Sequence, residues 1–162
     1  MITTVALTAS SIPQVSSLVG KTFLSTAISQ SCHDILTKIT SLYSHPSFSH
    51  LVEELESLDL DNSIKIINAH IEEIEKHNSP EILETHQSLF LSIQGLHNII
   101  NLIKEQIDEI HKLIENHNKK WFSSWRSVGG DEILAKLHLK KHILSDRTDL
   151  FFKVCSTLEK ID

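Results

Sequence analysis

Apolar residues recur along most of the chain at alternating steps of four and three positions, which is the pattern of a helix that buries one face. The longest row contains Ile82, His86, Leu89, Ile93, Leu96, Ile100, Ile103, Ile107, Ile110, Ile114, His117 and Trp121. Only the two histidines interrupt its apolar character. The row predicts one helix, roughly 60 Å long, with a heptad seam like that of a coiled coil.

Shorter rows with the same spacing predict further helices. One comprises Ile28, Cys32, Ile35, Ile39 and Leu42, and another comprises Leu60, Ile64, Ile67, Ile71 and Ile74. Near the C-terminal end, Leu137, Leu144, Phe151 and Leu158 repeat every seven residues, beside a flanking row of Leu139, Ile143, Leu150 and Val154. The two rows together predict a wide apolar arc that packs against two neighbouring helices.

Glycine and proline are rare, with 4 and 3 copies, and Pro46, Pro80 and the pair Gly129-Gly130 separate these rows. Residues 79–81, Ser-Pro-Glu, form a helix start, because Ser caps, Pro is tolerated at the first position and Glu favours the positive end of the dipole. Gly129 and Gly130 predict the end of one helix, and Asp131 predicts the cap of the next. Gly95, inside the long row, predicts either a bend or a close helix contact.

These signals predict an all-α protein without strands. The expected helices cover about 14–43, 47–58, 60–78, 80–126 and 131–160. They would form one elongated, up-and-down bundle of about five helices with coiled-coil-like packing, in a single domain over residues 1–162 whose first thirteen residues are frayed. Short connections predict antiparallel neighbours, and 4-3 spacing favours crossing angles near about 20°.

Composition narrows the class of partner and the compartment. Lys+Arg 15 against Asp+Glu 21 gives a net charge of -6, which argues against a nucleic-acid binder. The 2 Cys, Cys32 and Cys155, are expected to be reduced, buried apolar side chains in a cytoplasmic protein. The N-terminus has no basic region of a secretory signal, and no run of about 18 apolar residues predicts a membrane span.

The 11 His invite a metal hypothesis that the spacing does not support. A di-iron bundle needs Glu-x-x-His on two helices, and the nearest motif is a single Asp108-x-x-His111. His138 and His142 have a spacing that can bind zinc, but a solvated helix face is the preferred interpretation. No phosphate loop, nucleophile elbow or Cys-x-x-Cys motif is present, so we expect no catalytic residue, no metal and no cofactor.

The most unusual segment follows the long row. Trp121, Phe122, Trp125 and Arg126 place three aromatic rings and one of the 2 Arg within six residues. Trp and Arg are typical anchors of protein interfaces, which makes these four residues the candidate partner-binding site. The alternative is an aromatic plug that closes the end of the bundle. Both interpretations stay open at this point.

That segment also carries a resemblance. Residues 121–126, Trp-Phe-Ser-Ser-Trp-Arg, followed by Leu137–Arg147, resemble the C-terminal part of small uncharacterised helical proteins of giant, nucleocytoplasmic large DNA viruses. The many Lys, Ile and Asn residues suit an AT-rich coding sequence. The resemblance covers about a quarter of the chain and implies a host-cytoplasm or virion setting. It implies no activity, substrate or catalytic residue.

Two functions are therefore weighed. The favoured one is a non-catalytic interaction or scaffold protein that contacts a protein partner or a second copy. The alternative is a membrane-active bundle, because Lys21 is the only charged side chain between Met1 and His33. That low charge is similar to the leading helix of cell-death four-helix bundles of the HeLo type. A membrane-active helix usually carries a basic polar face, and this one does not, so membrane contact is the less favoured function.

Overall fold

The computed structural model describes residues 13–44, 49–77, 86–119 and 130–158. These residues form five α-helices and no strand, which confirms the predicted all-α bundle. The helices are α1 (Pro13–Tyr43), α2 (Ser49–Ser57), α3 (Leu60–His77), α4 (Gln87–Lys119) and α5 (Gly130–Leu158). The predicted bounds of α1, α2, α3 and α5 agree with these to within two residues.

The start of α4 differs from the prediction. His86 is not helical, and its carbonyl accepts the first helical hydrogen bond from Phe90 N–H at 3.2 Å. The prediction of a helix that continues unbroken from residue 80 is therefore wrong. Apolar spacing indicates which side chains face inward, but it does not indicate where helical hydrogen bonding begins. The predicted cap at residues 79–81 lies outside the described residues. His86 stands at the end of the seam, not within it.

The predicted seams form the core. In α4 every seam position from Leu89 to Ile114 is buried. The seam of α1 is buried from Ile28 to Leu42, and that of α3 from Leu60 to Ile71. The short α2 adds Leu51 and Leu55 to the same core. Burial of so many isoleucine and leucine side chains, each contributing about 1.5–3 kcal/mol, is the main stabilisation of this fold.

α4 lies between two neighbours, α1 and α5. Its buried arc is wider than the seam, because Ser92, Ile99 and Gln106 form a second buried row on one flank. A helix that packs on two partners needs such a wide face, whereas a helix with one partner needs only the seam. The helix predicted to be the longest of the bundle therefore contacts two of the other long helices.

The direction of each helix follows from its side-chain contacts. Three contacts between α1 and α4 each join residues 70 positions apart, so the two helices run parallel. Arg147 of α5 lies against Gly95 of α4, and Lys136 lies near Glu109, so α4 and α5 run antiparallel. Short connections predict antiparallel packing only for helices that follow one another in the chain. The antiparallel pair of α4 and α5 agrees with that expectation, and the parallel pair of α1 and α4 is compatible with an up-and-down bundle.

α3 and α5 close the bundle on the remaining side. Lys141 of α5 donates a hydrogen bond to Ser63 Oγ of α3, and the rings of His70 and Phe152 lie 4.6 Å apart. Both contacts advance in the same direction along the two helices, which are therefore parallel. With α1 packed on α3, the long helices follow the order α1, α3, α5, α4 around the core.

One face of α5 departs from the predicted packing. Leu137, Leu144 and Phe151 are buried, as their seven-residue repeat predicts. The flanking residues Leu139 and Leu150 are exposed, however, together with Ile143. The fourth member of that row, Val154, is partly buried against the core. The expected burial of the flanking row is therefore wrong for three of its four residues. Helices α3 and α4 both contact α5, as the prediction of two neighbours requires, but Leu139, Ile143 and Leu150 point away from them.

The N-terminal boundary of α5 also differs in detail. Gly130 is the first helical residue and is buried, so it begins α5 and does not end the preceding helix. Asp131 and Glu132 lie in the first turn, where Asp131 was predicted to stand just outside the helix as its cap. Carboxylates in this turn remain favourable, because they lie near the positive end of the helix dipole.

Candidate interaction surface

The residues predicted to bind a partner lie between two described helices. α4 ends at Lys119 and α5 begins at Gly130. The described residues therefore do not include the predicted site, Trp121, Phe122, Trp125 and Arg126. The partner-site and aromatic-plug interpretations of this segment both stay predictions. The predicted binding role of these residues is assigned to the connection between two antiparallel helices.

A second candidate surface is visible on those same helices. Five large apolar side chains of α4 and α5 are 37% to 62% exposed, and elsewhere in the described ranges only Ile66 is comparably exposed. We call these five the outer leucine face; they are Leu91, Leu102, Leu139, Ile143 and Leu150. Isolated exposed leucines are ordinary on protein surfaces, but a contiguous apolar patch frequently marks a binding site.

The contact between Gly95 and Arg147 shows that these side chains are neighbours. A Cβ atom placed on Gly95 would lie 3.4 Å from Arg147 Cδ, so the arginine side chain crosses α4 at the glycine. Leu91 is four residues before Gly95, and Leu150 is three residues after Arg147. In an antiparallel pair these two leucines lie at the same level. By the same alignment, Leu102 lies level with Leu139.

The outer leucine face consists of one exposed row on α4 and one on α5. Helical periodicity places both rows on the solvent side of the contact between Gly95 and Arg147. On α4, Leu91 and Leu102 lie on one side of Gly95, and the buried Ile99 lies on the other. On α5, Ile143 and Leu150 lie on one side of Arg147, and the buried Leu144 lies on the other. Arg147 therefore crosses α4 at Gly95, at an ordinary van der Waals distance, and this contact places the two exposed rows side by side.

The spacing of apolar residues does not by itself predict this exposed surface, although the sequence contains a signal for it. On each helix, two leucines stand eleven residues apart and outside the seven-residue core repeat. Residues eleven apart lie on one helical face, about three turns apart. Periodicity alone cannot distinguish an apolar row covered by another helix from one that faces solvent, so the row on α5 was assigned to packing.

The opposite flank of α4 is polar and fixes its alignment with α1. Ser31 Oγ donates to Asn101 Oδ1 at 2.9 Å. Asp34 accepts from Lys104, and Lys38 donates to Asp108, so the two ion pairs carry opposite polarity. One turn further on, His111 Nε2 lies 3.0 Å from the Lys38 carbonyl oxygen. These contacts join α1 and α4 over about three helical turns and hold the two helices in one alignment.

Asp34 is the carboxylate with the most specific environment in this row. Hydrogen bonds from Lys104 and Gln30, together with the charges of Lys104 and Lys38, hold its pKa below the usual value. Gln30 Nε2 donates to Asp34 Oδ1 at 2.9 Å. Asp34 is therefore an ionised partner near neutral pH and is not arranged as a proton donor for general acid catalysis.

The histidines of α5 do not converge on a common ligand in the described ranges. His138 Nε2 lies 3.5 Å from Glu54 Oε2 of α2, whereas His142 Nδ1 lies 4.0 Å from Asp146 on its own helix. Both imidazoles are exposed. Among the residues whose positions are described, no three His, Cys, Asp or Glu side chains are close enough to hold a metal ion together.

Cys32 has the environment of a core residue and not of a nucleophile. It is fully buried, and burial raises the pKa of its thiol to about 12. A reactive cysteine needs a lowered pKa and access to solvent, and Cys32 has neither. The neighbouring His33 is exposed, so the two side chains face different environments. This agrees with the predicted role of Cys32 as a small buried apolar side chain.

Helix α1 contributes directly to the core through Ile28, Cys32 and Ile35. This burial accounts for part of the low charge that motivated the membrane-active alternative. Within residues 13–44, 49–77, 86–119 and 130–158, no helix combines the length and the hydropathy that crossing a bilayer requires.

Part of the chain is similar in sequence to a giant-virus protein. A segment of 77 residues, 48% of the chain, is 31% identical to an uncharacterized protein of Acanthamoeba polyphaga mimivirus and covers 37% of that protein. The chain thus matches little more than a third of the relative's length. No protein-family model and no solved structure matches the chain. The similarity agrees in part with the resemblance to giant-virus proteins seen in the sequence.

Proposed function

We propose that this protein is a non-catalytic, virus-encoded helical protein that mediates protein–protein interaction or scaffolding. The observation that carries the proposal is the outer leucine face, which adds a second apolar surface to a chain whose core is already filled. The ion-paired carboxylates of Asp34 and Asp108 and the buried thiol of Cys32 are compatible with a non-catalytic role. The similarity to a mimivirus protein supports a viral origin and therefore a place in the host cytoplasm or the virion.

The proposal assigns the contacts to two regions of the α4–α5 pair. One is the outer leucine face. Its members closest along the chain to the second region are Leu102 and Leu139, which lie in the middle part of α4 and in the first half of α5. The other is the predicted site of Trp121, Phe122, Trp125 and Arg126. The helical distance from Leu102 to the end of α4 at Lys119 is roughly 25 Å, so the two regions can be tested separately. A net charge of -6 supports protein and not nucleic acid as the partner.

Affinity capture with matched variants tests the proposal. The tagged full chain is used to isolate proteins from its native host cells, beside Trp125→Ala, Leu102→Glu/Leu139→Glu and the control Ile66→Glu. We expect at least one protein that binds the wild type and the control but is lost from one of the two site variants. That protein is then purified and its binding measured directly. Equal capture by all four chains, or no direct binding, would refute the interaction role.

A further inference from the structure

The outer leucine face has a local two-fold symmetry. Each helix contributes two exposed leucines with the same spacing of eleven residues, Leu91 with Leu102 on α4 and Leu139 with Leu150 on α5. The helices are antiparallel, and Leu91 lies level with Leu150. The four leucines therefore mark the corners of a rectangle roughly 16 Å long. A half-turn about an axis through its centre exchanges the two helices and returns a similar pattern of leucines.

A surface with this symmetry fits a second copy of itself. Homodimers most commonly use the same patch on both subunits, which requires that the patch be self-complementary. Consider a two-fold axis that lies in the plane of the face and perpendicular to the helices. It places Leu91 of one copy on Leu102 of the other, and Leu139 on Leu150. Each α4 then packs antiparallel to the other α4, and each α5 to the other α5.

The apolar area is also what a dimer of ordinary size requires. The five exposed side chains present on the order of 400 Å² of apolar surface, within the range of functional patches on monomers. A standard interface buries about 800 Å² on each partner, and a little over half of that area is non-polar. The outer leucine face therefore supplies most of the apolar contact that a stable homodimer needs.

We propose that the outer leucine face binds a second copy of this chain and forms a two-fold symmetric dimer. This inference rests on the proposed function, because it names the partner of one of the two contact regions. A two-fold dimer contains two copies of every binding site of the chain, and paired sites can raise the apparent affinity for a multivalent partner.

Sedimentation equilibrium of the full chain tests the proposal over about 1 µM to about 1 mM, a range that covers weak to moderate association. We expect the wild type to approach twice the chain mass of 18.4 kDa as its concentration rises. Leu139→Glu/Leu150→Glu should weaken the dimer by about tenfold or more, since it places charge at two corners of the interface. The matched control Ile66→Glu changes an equally exposed apolar residue on α3 and should leave the dimer unchanged.

Circular dichroism checks each variant, and Leu139→Gln/Leu150→Gln replaces the Glu pair if that pair loses helicity. A wild type that stays monomeric, a dimer unaffected by the leucine variants, or an equal loss in Ile66→Glu would overturn the proposal. If the wild type is monomeric but captures a protein that Trp125→Ala does not capture, the dimer proposal fails while the proposed function stands. The two failures are therefore distinguishable.

Discussion

Asp59 shows how a single residue sets the path of the chain between α2 and α3. Its φ of 47° is left-handed, a conformation in which Asp is tolerated and β-branched residues are strained. Its carbonyl accepts Ser63 N–H at 3.2 Å and Ser63 Oγ–H at 3.0 Å. Lys141 of α5 also donates to this carbonyl, at 3.4 Å. The turn is therefore held by its own backbone and by a helix distant in sequence.

Substitution of Asp59 tests the importance of that backbone conformation. Asp59→Val should lower the free energy of unfolding by about 1–2 kcal/mol, because a Cβ-branched side chain is strained at positive φ. Asp59→Asn, the matched control, tolerates the same conformation and should change the free energy of unfolding by less than about 0.5 kcal/mol. Urea unfolding followed by circular dichroism measures both. Equal stability of the Val and Asn variants would show that φ is not left-handed in solution.

Gly95 tests how closely α4 and α5 approach. Gly95→Ala should raise the free energy of unfolding by up to about 1 kcal/mol, because alanine favours the helix and glycine does not. The new methyl group meets only the flexible side chain of Arg147, which can shift. The same substitution in an Arg147→Ala chain serves as the control and should give an equal or larger gain. A lower stability in both backgrounds would contradict the geometry of this contact.

Cys32 offers a chemical test of burial. Its thiol should not react with a water-soluble thiol reagent while the chain is folded, because it is fully buried and its pKa is raised to about 12. The number of thiols that react in the native state should therefore be the same in the wild type and in Cys32→Ala. In denaturant the wild type should show one thiol more than the variant. A native-state difference between the two chains would place Cys32 at the surface.

At the level of the helices, the inner faces were predictable and the outer ones were not. The seams of α1, α3 and α4 follow from spacing alone, because burial of one face is what the 4-3 pattern encodes. The parallel pairing of α1 with α4 does not follow from spacing, because it depends on which faces match across the core. The same reason explains why the exposed row on α5 was assigned to packing. The coiled-coil-like crossing angle and the single domain over residues 1–162 stay predictions.

The ion pairs between α1 and α4 make a prediction about pH. Lys104 and Gln30 lower the pKa of Asp34 in the folded chain. Its contribution to stability is therefore present above the unfolded pKa of about 3.9 and is lost as pH falls through the lower folded value. Asp34→Asn should reduce the free energy of unfolding by about 0.5 kcal/mol at neutral pH, a small effect because the pair is partly exposed.

The pH series contains its own control. The difference between the wild type and Asp34→Asn should shrink as pH falls below about 4, where the wild-type carboxylate becomes protonated. Lys104→Gln should show the same loss at neutral pH, and the double variant should lose no more than about either single one. Urea unfolding at each pH measures these differences. A difference that grows toward acid pH would mean that Asp34 is not paired in the folded state.

For the whole molecule, the fold separates two kinds of apolar surface. The inner surface of the four long helices is a continuous core, and the outer leucine face lies beyond it on the α4–α5 pair. The chain did not need this second surface to form the core, so its stability and its association can be changed independently. Substitutions on the outer face should alter binding while leaving helicity intact, whereas truncation of Ile103 in the core should cost about 2–5 kcal/mol.

The most direct test of this account is hydroxyl-radical footprinting of the leucine side chains in the wild-type chain as its concentration is raised. In dilute solution we expect oxidation of Leu91, Leu102, Leu139 and Leu150, and protection of the buried Leu96 and Leu144. In concentrated solution the four outer leucines should become protected while Ile66 stays reactive. Outer leucines that are protected at every concentration, or reactive at every concentration, would contradict the claim that this face is left open by the fold and covered by a second copy.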